Sequence, residues 1–147
     1  VQRQTEQLVK KFRAALESTP RNGLRTTLGC TDFPSACCDD ASLLLAAYLN
    51  DNGVIGSTRV SGVNGGKHKE LRSHVWLLCS GFIIDITADQ FTSYKIDPVF
   101  VNKKSTFHKT FEIKSEGPAD FRIKFRDDPK WLSSFENDYK IVLSNVK

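Results

Sequence analysis

Methionine is missing from all 147 residues, and no apolar run approaches the roughly 20 residues that cross a bilayer. The second absence excludes a membrane-spanning helix. The first, with Val1 at the start, fits a processed chain or a piece of a longer polypeptide. The opening segment, with Arg3, Glu6, Lys10 and Lys11, lacks the apolar centre of a secretory signal. An excess of one charge is also lacking: 21 Lys and Arg stand among 17 Asp and Glu, for a net charge of +4. No nucleic-acid motif accompanies them, so neither nucleic acid nor a membrane is expected as a partner. Four cysteines occur without Cys-x-x-Cys spacing, and Cys37 and Cys38 are neighbours that bridge only with difficulty. A reducing, cytoplasmic setting is therefore expected. Cys30, Cys37, Cys38, Cys79, His68 and His74 show no zinc-ligand spacing, so no metal and no other cofactor is expected.

What the chain does have is a core. Hydrophobic residues make up 39% of it and ten are Phe, enough for one domain spanning residues 1–147. Leu8, Val9, Phe12, Ala15 and Leu16 keep helical spacing within residues 3–17, ahead of Pro20. Residues 19–35 carry loop chemistry. Ala41, Leu44, Leu45, Tyr48 and Leu49 then predict a central helix over residues 38–50, ended by Asp51-Asn52-Gly53. A β-prone run over 54–63 leads into a charged loop, 64–69, that holds His68 exposed. Residues 73–78 and 82–87 read as two strands joined by Ser80-Gly81. Further on, residues 106–114 and 121–126 alternate Phe and Ile with charged residues and read as half-buried strands. Asp128-Pro129 signals a last helix, although residues 139–143 suit a strand equally well. This order predicts an α+β domain, with the cysteine-bearing helix packed on an antiparallel sheet.

The two neighbouring cysteines fall at the start of that central helix. There, unpaired backbone N–H groups and the helix dipole favour a thiolate and can hold the oxyanion formed when it attacks a carbonyl. The hairpin adds a base and an orienting group. With a two-residue turn, Cys79 pairs with Phe82 and Trp76 lies opposite Asp85, so His74, Trp76 and Asp85 share one face. His74 and Asp85 are then diagonal neighbours about 7–8 Å apart along the backbone, within side-chain reach. Asp85 would orient His74, which would take the proton of the thiol, while Trp76 would shield the pair. Periodicity does not choose between Cys37 and Cys38, since both align with buried helix positions. His108 is a weaker base, with no carboxylate in a matching strand. The bland readings are a buried structural cysteine, a core histidine and a turn-capping Asp.

Cys37 ahead of Asp-Asp-Ala-Ser-Leu-Leu-Leu, His74-Val75-Trp76 and Asp85-Ile86-Thr87 together resemble the transglutaminase-like branch of the papain-like cysteine enzymes. The resemblance covers roughly residues 30–110. It includes small bacterial proteins whose usual pattern at the thiol is Ala-Cys-Gly-Asp. The implied fold is papain-like, and the implied catalytic residues are Cys37, His74 and Asp85. Cys38 stands where Gly is usual, and its backbone N–H or a donor from residues 31–35 would serve the oxyanion. The implied activity is attack on an amide or acyl carbonyl through an acyl-enzyme, as in peptidases, amidases, deamidases and acyltransferases. Protein, peptide or small amide substrates follow. Toxin domains also use this fold, so the resemblance extends to a bacterial toxin or effector delivered into a target cytoplasm. The alternative is a catalytically inactive protein-binding module of the same fold. Arg122, Lys124 and Arg126, read on one strand face, offer contacts for an acidic protein partner.

Overall fold

Apolar residues at helical spacing bury one side of the first helix. In the computed structural model, which describes residues 2–147, α1 runs Gln2–Ser18 with Val9, Phe12, Ala15 and Leu16 inside. Every residue from Ala41 to Leu49 is buried, so α2, Cys38–Asp51, lies within the core and not along its surface. Five antiparallel strands follow: β1 Thr58–Gly65, β2 Leu71–Cys79, β3 Phe82–Asp85, β4 Phe100–Asn102 and β5 Glu112–Pro118. Their spatial order is β4-β3-β2-β1-β5. A single helical turn, α3 Thr106–Lys109, separates β4 from β5, and α4 Phe121–Lys124 and α5 Pro129–Leu143 complete the chain. The α+β class expected from the element order is the one observed. No helix among the described residues is long and apolar enough to cross a membrane.

Strand alternation divides the interior in two. Leu77 and Cys79 of β2 and Phe82 and Ile84 of β3 face a core built with α1, α2 and α5. Trp76 on the other face joins Val60, Phe107 and Phe111 in a second, aromatic cluster. The β2–β3 register is the one that a two-residue turn predicts, with Cys79 opposite Phe82 and Leu77 opposite Ile84. Ser80 and Gly81 take φ of 51° and 81°, the left-handed pair of a type I′ turn. That register fixes which side chains of β2 and β3 meet. Behind His74, β1 carries Gly62, its Cα partner. A Cβ there would stand 2.7 Å from that of Phe111, so the missing side chain is what admits the Phe111 ring.

The C-terminal third corrects three expectations. Residues 106–114 are not one strand: Ser105 caps α3 by accepting from the His108 N–H, and only β5 continues as a strand. Residues 121–126 begin with α4, because Asp120 caps that turn at the Arg122 N–H. Arg122 consequently shares no strand face with Lys124 and Arg126. It is paired at 2.8 Å with both Asp51 and Asp120, so its charge is matched within the fold. The ambiguous residues 139–143 are helical.

Two buried ionic anchors hold the loops that flank α2 and β3. Asp138 of α5 is fully buried and accepts from the backbone N–H groups of Arg25 and Thr26, each at 2.8 Å. Arg13 of α1 donates to the Ile86 carbonyl at 2.6 Å and forks onto Asp89 with two bonds of 2.8 Å. Burial opposes the charge of Arg13, but the Asp89 pair outweighs it and the guanidinium is held more firmly protonated than usual. The segment after Asp85 is thereby tied to α1. Asp138→Ala would leave two loop N–H groups without their acceptor, and a loss of about 2 kcal/mol is expected in denaturant unfolding. Lys140→Ala on the exposed side of the same helix should change stability by less than about 0.5 kcal/mol.

Candidate active site

Three polar side chains meet on the aromatic side of the sheet. His74 is fully buried, Asp85 is 2% exposed, and the His74 Nε2 lies 2.6 Å from Asp85 Oδ2. This is the contact expected from the hairpin register. The second imidazole there was not foreseen: His108 Nε2 lies 2.6 Å from the same Oδ2. Asp85 Oδ1 accepts the Thr87 N–H at 2.9 Å. His108 belongs to α3 and not to a strand, which overturns the ground on which it was set aside. Ser105 three residues before it, a ready helix cap, was the available signal.

The surroundings are aromatic. Trp76, Phe91, Phe107 and Phe111 lie with ring centroids 5.0–6.3 Å from that of His74, Phe91 edge-on. Trp76 thus packs against His74 as expected of a shield, and its ring lies 4.9 Å from that of His108 as well. Burial favours the neutral forms of both members of the His74–Asp85 pair, yet their mutual attraction wins. His74 is pushed up to about 9, and Cys38 contributes in the same direction. Asp85 is held far below the usual carboxylate range by His74 and His108. The second ring nitrogen of His74, Nδ1, is buried without a hydrogen-bond partner.

The neighbouring cysteines have different fates. Cys37 is the N-cap of α2, with no side-chain capping bond, and its thiol is sealed at 2% exposure in the core made by α1, α2 and α5. Burial pushes that thiol up to about 11, and Thr31 offsets only part of the effect. Cys38, the first residue of α2, is partly exposed and lies beside His74. The expected pairing of Cys37 with His74 is therefore not what the fold brings together. The one-residue difference follows from the helix start. Ala36, immediately before, adopts a left-handed φ of 59°, a strained value for a residue with a Cβ.

The first turn of α2 is clamped from two sides. Asp39 forks onto Arg59 of β1 with bonds of 2.7 and 2.8 Å. Asp40 accepts from the Thr27 N–H at 2.9 Å and its hydroxyl at 2.7 Å. Both carboxylates also suit the positive end of the helix. Sequence reasoning placed these aspartates in the helix without seeing that they position the thiol. The N–H groups of Cys38 and Asp39 precede the first helical bond, Ala41 to Cys37, and so have no partner within the helix.

Ligand type alone would let His74, Asp85 and His108 hold a cation, since their donor atoms lie within 4.8 Å of one another. The two 2.6 Å N···O contacts are hydrogen-bond lengths, however, and both fall on one oxygen. A metal would need nitrogen and oxygen donors at about 2.0–2.2 Å around a shared centre. The arrangement fits protons better than an ion. No disulfide forms among the described residues. No protein-family model matches the chain, and no curated protein or solved structure matches it either.

The shifts make a signed prediction. His74 is raised above its unfolded value near 6.5, so its contribution is complete below that pH and is lost as pH rises through about 9. Asp85 is lowered, so its contribution is present above about pH 4 and is lost only as pH falls through its depressed folded value. The pair therefore stabilises most between about pH 4 and 6.5. Urea unfolding of the intact protein should weaken from pH 6.5 to 9 by a few kcal/mol, and this slope should flatten in His74→Gln. Equal slopes would mean that His74 carries no such linkage.

Proposed function

We propose that the chain is a thiol enzyme of the transglutaminase-like, papain-like kind, in which Cys38 takes the nucleophilic role that the sequence resemblance gave to Cys37. The observation that carries this reading is the unpartnered Nδ1 of buried His74, with Nε2 fixed on Asp85 and the Cys38 thiol alongside. Asp85 accepts the Nε2–H and stabilises the imidazolium, so Nδ1 is the position that holds the proton given up by Cys38. Nδ1 takes the Cys38 proton, and the thiolate sulfur bonds to the carbonyl carbon of an amide or acyl substrate. The oxyanion is met by N–H groups at the start of α2. His74 returns its proton to the leaving amine, the C–N bond breaks and a thioester remains on Cys38. Water then releases an acid, or an amine accepts the acyl group.

Protein, peptide and small amide substrates all suit this chemistry, in a cytoplasm or in one reached by a toxin or effector. Two other readings have specific support. An inactive binding module would suit the complete burial of His74. A metal centre has the ligand types of His74, Asp85 and His108 in its favour and the 2.6 Å contacts against it, and metal analysis of untreated protein giving about one ion per chain would establish it. Iodoacetamide labelling located by mass spectrometry separates enzyme from binding module. Labelling confined to Cys38, fast at pH 7 and lost in His74→Ala, is the expected outcome, with Cys37 unmodified in folded protein. Slow labelling of Cys38 that is indifferent to His74 would sink the enzyme reading.

A further inference from the structure

We infer that His108 is a positioning residue for this thiol site, acting through the carboxylate it shares with His74. The inference rests on the thiol-enzyme reading for its consequence and on the hydrogen-bond network for its geometry.

The network fixes the tautomer of His108. Ser105 Oγ accepts the His108 backbone N–H at 3.0 Å, which leaves its own proton for the His108 Nδ1 at 2.5 Å. Nδ1 is then an acceptor, and the ring proton sits on Nε2, donated to Asp85 Oδ2. His108 thus serves Asp85 as a hydrogen-bond donor. Both lone pairs of Oδ2 are occupied, one by each imidazole, while Oδ1 is held by the Thr87 N–H. A carboxylate so gripped cannot turn without giving up a bond. Trp76, Phe100 and Phe107 pack at 4.9–5.2 Å around the His108 ring, so this donor is itself immobile. The order of restraint runs Ser105, His108, Asp85, His74, and its last member presents Nδ1 to Cys38. His108 meets neither thiol nor substrate in this scheme. Its Nε2–H holds the group that holds the base.

Packing alone and positioning make different demands on residue 108. A phenyl ring fills the space but donates nothing, whereas a glutamine amide nitrogen reaches the place of Nε2. At matched folded fraction, His108→Phe should slow iodoacetamide labelling of Cys38 at pH 7 by about 10-fold to 100-fold, the cost of a slightly misplaced reacting group. His108→Gln should recover a rate within about threefold of the intact protein. Should His108→Phe fail to fold, Ser105→Ala keeps both imidazoles and frees only the outer one, and a several-fold slowing is expected. Intact rates in His108→Phe, or in Ser105→Ala where that variant is needed, would overturn the inference while leaving the thiol reading in place.

A second measurement does not depend on thiol reactivity. In proton NMR of the intact protein, the His74 and His108 Nε2–H resonances should both lie far downfield, and His108→Phe or Ser105→Ala should shift or broaden that of His74. An unmoved His74 resonance overturns the positioning role. If Cys38 labels slowly in the intact protein while that resonance does move, the enzyme reading fails and the coupling through Asp85 stands.

Discussion

A carboxylate buried to 2% exposure must be met by donors on its lone pairs or surrender its charge, and Asp85 is met by two imidazoles and a backbone N–H. The rest of the site follows from that requirement. Because Asp85 stays ionised, His74 can be buried and still hold a proton. Because His74 spends Nε2 on Asp85, Nδ1 is left over, and the partly exposed Cys38 lies beside the ring. The aromatic cluster packs around the network, and burial strengthens each of these interactions and would penalise any partner left unmatched.

The other half of the arrangement is the start of α2. The middle of the central helix is buried and its two ends reach the surface, and an ion pair and hydrogen bonds set where the N-terminal end lies. Asp39 ties it to β1 through Arg59, Asp40 ties it to Thr27, and Asp138 secures the Arg25–Thr26 backbone from the far side. Of two adjacent thiols, one turns into the core and the other toward His74. Cys37 and Cys38 are thereby separated chemically although they are joined covalently: burial keeps the first protonated, and the second lies beside His74.

How much of this could be read beforehand depends on element length. Helices α1 and α2 and the β2–β3 hairpin extend over enough residues for their periods to show, and Ser80-Gly81 fixes a register that puts His74 and Asp85 on one face. Helices α3 and α4 are four residues each, too short to display a 3.6 period, and their Phe-rich neighbourhoods imitate strand alternation. Their caps, Ser105 and Asp120, were the legible clues. His108 was lost with α3. The choice between the thiols turned on a single residue at a helix boundary, where the pattern of buried positions is silent and the turn at Ala36 decides. Arg59 and Arg13 left no trace at all, since a long-range ion pair carries no local signature.

The central claim is that Asp85 is what keeps buried His74 protonated and aimed. It is tested most directly by following the His74 imidazole through a pH titration by NMR, in the intact protein and in Asp85→Asn. The account predicts a midpoint near 9 in the intact protein, and in the variant a fall to below the ordinary value of about 6.5, because burial then acts unopposed. A midpoint that Asp85→Asn leaves unchanged would contradict it.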